Sequence, residues 1–320
     1  MTKRYTPPDF EKAVKSHIIL WKSRETNPAL EVPPIMVVAG STGTGKTTGI
    51  AHICAQMGAP LYPVEGKNLV ASTEGQATAP LVNELIKAAN DPTALVPCVL
   101  IDDADLGGLG TSPNITGTVN GEAVKGCVMT WADKPDSILV EQLNRAPSII
   151  PLKRSACMFM TTNRLDHLHP PMIRAGRATI FVLDPQGEEL ERTVAGIFPQ
   201  LTLRQAQQLV RRFSGQPVAF FPDIKAELAK DAALQCADHY NGDLQGADWS
   251  GVGDFILKHS NGASYQDLVA AGDKLAGTSR DTNFITPQKP VEAPVRRHSG
   301  MNGSTPYANG SEPQTASMEA

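Results

Sequence analysis

Ile35-Met36-Val37-Val38-Ala39-Gly40-Ser41-Thr42-Gly43-Thr44-Gly45-Lys46-Thr47-Thr48-Gly49-Ile50 is the stretch whose reading decides the fold. Five apolar residues run unbroken into a glycine-rich loop, and the loop opens into the helical pattern Ile50-Ala51-His52-Ile53-Cys54. An uninterrupted apolar run of this length fits a strand buried on both faces, as in a parallel sheet. The loop matches G-x-x-x-x-G-K-[ST], whose glycines let successive backbone N–H groups turn inward on a phosphate while the helix N-terminus adds positive partial charge. Gly40, Ser41, Thr42, Gly43, Thr44, Gly45, Lys46, Thr47 and Thr48 are therefore the candidate nucleotide-binding residues. Lys46 has the reach for the β- and γ-phosphates of ATP, and the Thr47 hydroxyl is a candidate Mg²⁺ ligand. The plain alternative is a glycine-rich turn that contains a lysine.

A second apolar run, Val96-Pro97-Cys98-Val99-Leu100-Ile101, ends in Asp102-Asp103-Ala104-Asp105. A carboxylate delivered there by a strand can hold the Mg²⁺ shell beside the phosphates, and the residue after it can orient and activate a water. Asp102 takes the metal role and Asp103 the base role; the alternative is a solvated acidic cap. A third run, Ala156-Cys157-Met158-Phe159-Met160, ends in Thr161-Thr162-Asn163. If that strand lies beside the first one, the Asn163 amide can position the same water; ordinary turn chemistry is the alternative. Next comes Ile173-Arg174-Ala175-Gly176-Arg177. Arg174 and Arg177 are either fingers that stabilise charge on a transferred phosphoryl group or ordinary solvated surface.

Composition narrows the class. At 320 residues, with 41% hydrophobic and 19% charged, most of the chain is expected to be globular. A net charge of -4 supplies no global attraction to nucleic acid or to an anionic membrane. No apolar run approaches membrane-spanning length, and no signal or transit pattern is evident, so a soluble cytoplasmic protein is expected. The five cysteines are scattered, without a C-x-x-C pair, and read as buried reduced thiols. His167-Leu168-His169 reads as a structured loop rather than a metal pair, since no third ligand stands nearby.

Taken in order, residues 1–33 form an extension whose helix carries Phe10, Val14, Ile18 and Trp21 on one face. That face packs on the nucleotide domain behind it or meets a partner. Residues 34–185 alternate strands with helices, which implies an α/β domain with a parallel sheet between helices. They include a loop at Gly66–Gly75, a glycine-rich loop at Gly107–Gly121 and a loop holding Arg145, Lys153 and Arg154. Past Asp184-Pro185 the pattern is purely helical to about residue 278, with capping boxes at Thr202–Gln205 and Ser264–Asp267. A glycine-rich connection is expected over 241–253. Residues 279–320 are rich in Pro, Gly, Ser, Thr and Asn, and a disordered tail is expected.

Together these segments resemble an AAA+ ATPase and, more narrowly, the rubisco activases. The broad likeness rests on the loop at Gly40–Thr47, Asp102-Asp103, Asn163, Arg174 with Arg177, and the helical lid. The narrower one rests on Cys98–Asp105, Thr118-Val119-Asn120, Ala132-Asp133-Lys134-Pro135, Ile173–Arg177 and Gly196-Ile197-Phe198. The resemblance implies a homo-oligomeric ring, a hexamer, with ATP at subunit interfaces and Arg174 and Arg177 acting in trans. It implies rubisco as the protein client, freed of inhibitory sugar phosphates by loops lining a central pore. Lys67-Asn68-Leu69 would fall in the first pore loop, Gly107–Gly121 in the second and Arg145–Arg154 in the third. Three departures stand out. Gly117 replaces an aromatic residue before Thr-Val-Asn. Lys225 holds the lid position where the family carries a nucleotide-sensing arginine, without that residue's planar fork. Asp102 stands where activases often carry Asn.

Two other readings stay open: the same enzyme with another protein or nucleic-acid client, and a nucleotide-gated assembly protein with little turnover. The acidic balance makes nucleic acid the weaker choice.

Overall fold

The apolar runs Ile35–Ala39, Cys98–Asp102 and Cys157–Thr162 lie side by side at the centre of a parallel sheet, buried along almost their whole length. The computed structural model describes residues 5–69, 77–111, 119–140, 148–239 and 248–281. Residues 1–278 group as one unit and 279–320 as a second. In chain order the elements are α1 (Pro8–Thr26), β1 (Ile35–Ala39), α2 (Lys46–Gln56), β2 (Leu61–Glu65), α3 (Ala79–Asn90), β3 (Cys98–Asp102), α4 (Val119–Asp133), β4 (Ser137–Val140) and β5 (Ser148–Pro151). There follow β6 (Cys157–Thr162), β7 (Ala178–Val182), α5 (Gly187–Ile197), α6 (Leu203–Arg212), α7 (Phe220–His239), α8 (Trp249–Gly262) and α9 (Tyr265–Asp281). The sheet order is β2-β3-β6-β1-β7, all parallel.

Register divides the sheet's side chains cleanly between two layers. Ile35 pairs with Met158 and Met36 with Phe159, so odd residues of β1 share a face with even residues of β6. One face packs Ile35, Val37, Val99 and Met158 against α3 and α4. The other packs Met36, Val38, Leu100 and Phe159 against α1 and α2. The amphipathic face of α1 is spent here: Phe10, Val14, Ile18 and Trp21 are all buried, each contributing roughly 2 kcal/mol relative to exposure. The Trp21 indole donates to the Ser155 carbonyl at 3.2 Å. Where α1 crosses α2, a Cβ built on Gly49 would stand 2.6 Å from the Phe10 ring. The contact exists because the residue is glycine.

Beyond β7 the chain is helical and has its own core, with Val194, Phe198, Leu209, Phe221, Ile224 and Leu268 buried. Both expected capping boxes form. Thr202 and Gln205 exchange side-chain and backbone bonds, as do Ser264 and Asp267.

Three expectations change. The loop holding Lys153 and Arg154 is instead preceded by an antiparallel hairpin, with Ser137 opposite Pro151 and Val140 opposite Ser148; Arg145 lies outside the described residues. Lys153 is exposed, while an Arg154 Nη donates to the Ala94 carbonyl. The glycine-rich stretch 241–253 gives way at Trp249 to helix α8, whose N-cap Asp248 accepts from the Ser250 amide at 3.1 Å. The last helix continues past Gly277 to Asp281. Gly117, Thr118 and the tail from residue 282 are outside the described residues.

After β2 and after β3 the chain makes short 3-10 turns, Gly66–Leu69 and Ala104–Leu106. They meet backbone to backbone. A Cβ on Gly107 would lie 2.0 Å from the Gly66 carbonyl oxygen, and one on Gly66 would lie 2.3 Å from the Asp103 carbonyl oxygen. Lys67 and Asn68 are exposed on the first turn, whereas Leu69 is buried in the core. Among the described residues, no helix is long and apolar enough to cross a membrane.

Candidate nucleotide site

The strand order puts β1 between β6 and β7, with β3 beyond β6, so the C-terminal ends of β1, β6 and β3 open on one edge. Ligands of open α/β sheets bind at that edge. Gly43 at φ +79° and Gly45 at φ +87° take the left-handed backbone that a phosphate loop requires and that other residues reach only with strain. Gly45 is also the N-cap of α2, so the helix starts at Lys46 and its free amides face the loop.

Lys46 is buried, and its ammonium donates to the Gly40 carbonyl at 2.9 Å, the Ser41 carbonyl at 3.0 Å and Asn163 Oδ1 at 2.8 Å. Burial pulls its pKa below the ordinary lysine value, against the opposing pull of Asp103, Asp105 and Asp102. The Thr47 hydroxyl donates to Asp102 Oδ1 at 2.5 Å. A hydroxyl and a carboxylate held in contact form a hard-oxygen donor set that suits Mg²⁺. Cradle, buried cation and oxygen donors together fit a nucleoside triphosphate with its divalent ion.

Asp103 adopts φ 48°, the only positive φ outside glycine among the described residues. Strain of this kind persists where neighbours over-determine it. Here the Asp103 amide donates to Thr161 Oγ1 at 2.9 Å, and the Asp103 carboxylate accepts from Asn163 Nδ2 at 3.2 Å. Burial raises its pKa first, and the carboxylates of Asp102 and Asp105 raise it further. Asp105, itself buried, accepts from the Asn163 amide at 3.3 Å.

The structure therefore brings Lys46, Thr47, Asp102, Asp103 and Asn163 into one hydrogen-bonded group. A cavity of about 1140 Å³ extends from the loop toward the helical region and is lined by Thr42–Gly49, Asp103, Asn163 and Lys225. Lys225, on α7, thus faces the same space as Lys46. Arg174 and Arg177 do not join them. Arg177 precedes β7, and its carbonyl accepts from the Ile35 amide at the start of β1. The five residues of β1 separate that point from the phosphate loop, a rise of about 16 Å. Among the described residues no three His, Cys, Asp or Glu side chains come together as a metal-ligand group. Cys54, Cys98, Cys127 and Cys157 are buried free thiols.

Two further participants carry no motif in the sequence. Thr161 donates its hydroxyl to Asp102 Oδ1 while accepting from the Asp103 amide, so one side chain orients both carboxylate-bearing residues. Its only signal is a Thr-Thr pair at the end of an otherwise apolar strand, since a buried hydroxyl needs a partner. The N-terminal segment Tyr5–Pro7, with Phe10, lines the cavity as well. Nothing in the local sequence marks it.

Residues 36–185 match the profile of the ATPase family associated with various cellular activities, AAA. That span is an AAA domain, an α/β ATPase module followed here by a helical lid. The chain is also similar to ribulose bisphosphate carboxylase/oxygenase activases. That of Anabaena sp. is 29% identical over 233 residues, covering 70% of this chain and 54% of the relative. The chloroplastic activase of Cucumis sativus is 27% identical over 243 residues, 73% and 56%. That of Chlamydomonas reinhardtii is 26% identical over 241 residues, 72% and 56%. The chain spans about half the length of these relatives.

Proposed function

We propose that the protein hydrolyses ATP with Mg²⁺ and uses turnover to remodel inhibited rubisco so that sugar phosphates are released. The observation that carries the ATPase half is the Lys46–Asn163–Asp103 chain of hydrogen bonds, standing beside the Thr47–Asp102 pair. Lys46 and the amides of Gly40–Thr48 bind the phosphates. Thr47 and Asp102 hold the cation, which supplies charge neutralisation on the β- and γ-oxygens. Asp103 accepts the proton of a water that Asn163 orients, and Lys225 approaches the γ-phosphate from the lid. The likeness to activases supports the client. Exposed Lys67 and Asn68 are the described residues available to a first pore loop.

The working unit in this reading is a homo-oligomeric ring, a hexamer, in the cytoplasm. Its subunit comprises an N-terminal extension (1–33), an AAA core (34–185), a lid (186–278) and a tail (279–320). Arg174 and Arg177 sit at the sheet edge opposite the chain's own phosphate loop. They serve a neighbour's nucleotide or none.

Phosphate release by the purified protein, with and without sugar-phosphate-inhibited rubisco, tests both halves. Turnover abolished by Lys46→Ala and restored carboxylation are expected. Turnover without any gain in carboxylation by the cognate rubisco would remove the client and leave the ATPase. Gly117 favours that second reading, an AAA ATPase with another protein client, because an aromatic grip is missing from the sequence there.

A further inference from the structure

The pair Arg174 and Arg177 is not a pair in the structure. Arg177 is engaged within its own chain through three of the five N–H groups that a guanidinium carries. Its Nε donates to Asp133 Oδ1 at 2.7 Å, one Nη to Asp133 Oδ2 at 2.6 Å, and the other Nη to the Pro171 carbonyl at 2.8 Å. A two-pronged guanidinium–carboxylate contact fixes the orientation of both groups as well as adding energy. All three guanidinium nitrogens are occupied. Asp133 has few other reasons to be where it is: it is the last residue of α4, where a negative charge opposes the helix dipole. Arg177 compensates that charge and keeps the Asp133 carboxyl below its usual range.

Arg174 is placed differently. It is exposed. Its backbone carbonyl accepts from the amides of Arg177 at 3.1 Å and Ala178 at 3.2 Å, which closes a turn through Gly176 at φ +88°. The turn is thus held at its C-terminal end by the Arg177–Asp133 contact and by β7, which begins at Ala178, and is tied back on its N-terminal side by the Arg177 bond to the Pro171 carbonyl, with Arg174 exposed upon it. The two partners of this ion pair, Asp133 and Arg177, lie 44 residues apart in the chain.

We propose that the two arginines have separate roles: Arg174 alone reaches a neighbouring subunit's nucleotide, and Arg177 is a positioning residue that, locked by Asp133, holds the turn carrying Arg174. This rests on the interfacial ATPase reading above. To turn its whole head onto a phosphate, Arg177 would give up the two-pronged Asp133 contact and the Pro171 bond that fix it. Arg174 meets a phosphate from an exposed position, with its turn already closed by the backbone.

The test compares steady-state ATP hydrolysis by full-length wild type, Arg174→Ala, Arg177→Lys, Asp133→Ala, Asp133→Asn and the double variant Arg174→Ala/Asp133→Ala. Arg174→Ala is expected to lower kcat by about a thousandfold or more, in the range of a lost arginine finger. Asp133→Ala should lower kcat by about tenfold through misplacement, with KM for ATP unchanged. The double variant should match Arg174→Ala, since Asp133 acts only through Arg174. Asp133→Asn, which keeps the shape and folds if the alanine variant does not, should fall between wild type and Asp133→Ala. A further loss in the double variant overturns the division of roles. So does an Asp133 variant with wild-type kcat alongside an inactive Arg177→Lys enzyme, for then Arg177 acts directly. Mixing Arg174→Ala with Lys46→Ala subunits checks the underlying reading separately: recovered turnover supports shared sites, and no recovery at any ratio sinks them whatever the Asp133 variants do.

Discussion

Asn163 stands between Lys46 and Asp103, accepting from the Lys46 ammonium at 2.8 Å and donating to the Asp103 carboxylate at 3.2 Å. The amide is the one neutral link in a line of charges, and its two ends have opposite polarity to match. Asn163→Asp keeps the acceptor for Lys46 but puts a carboxylate against Asp103. It is expected to lower kcat by about a hundredfold, the scale of losing one well-placed polar group at a reacting centre, with a smaller change in KM. Phosphate release at saturating ATP measures it. Wild-type turnover in this variant would take Asn163 out of the reaction.

Thr161→Val removes one methyl-sized hydroxyl, leaves the Asp103 backbone amide without its acceptor and takes from Asp102 Oδ1 one of its two donors, Thr47 being the other. Stability should fall by about 2–3 kcal/mol, since a buried group left unpaired forfeits its desolvation. Thr161→Ser should retain most of it. Urea unfolding of the two variants gives the comparison, and equal stability would mean that the hydroxyl is dispensable.

His17 lies buried on α1, edge-on to Phe159, and its Nε2 has no hydrogen-bond partner among the described residues. Burial lowers its pKa from 6.5 to about 4. On acidification the unfolded chain therefore takes up a proton first. Stability from this group is complete above the unfolded pKa and is lost as pH falls from about 6.5 toward 4, by up to about 3 kcal/mol. The loss between pH 7 and pH 4.5 should be smaller in His17→Leu than in wild type. Parallel curves would assign acid sensitivity to other groups.

Gly49→Ala drives a methyl group into the Phe10 ring. Overpacking of this kind costs about 1–3 kcal/mol. Phe10→Leu in the Gly49→Ala background should recover part of it, although Phe10→Leu alone destabilises. The double-mutant cycle reads the coupling from thermal melts, and strict additivity would show that the ring yields freely.

The parts of the molecule legible in the sequence are those whose signal is local. β1, β3 and β6 are unbroken apolar runs, the phosphate loop carries its own motif, and each capping box is four residues long. Asp102, Asp103 and Asn163 are legible because strand ends are places where chemistry collects. The β4–β5 hairpin is hidden because its strands are four residues each, β4 mostly half-buried and β5 largely exposed and ending in Pro151. Helix α8 is hidden by Gly251 and Gly253, which lower helix propensity locally but are carried by packing against α7. The commitment of Arg177 to Asp133 and the approach of Tyr5–Phe10 to the cavity depend on residues far apart in the chain. No periodicity records such distances.

The meeting of Gly66 with Gly107 and with the Asp103 carbonyl brings main chain against main chain, with no side chain between them. Side chains are where proteins usually absorb small displacements, by changing rotamer. Here that slack is missing. A displacement of the Asp103 main chain toward Gly66 would therefore have to be met by movement of Gly66, and with it of the exposed Lys67 and Asn68, and not by a change of rotamer. Enlarging either glycine would force these main chains apart.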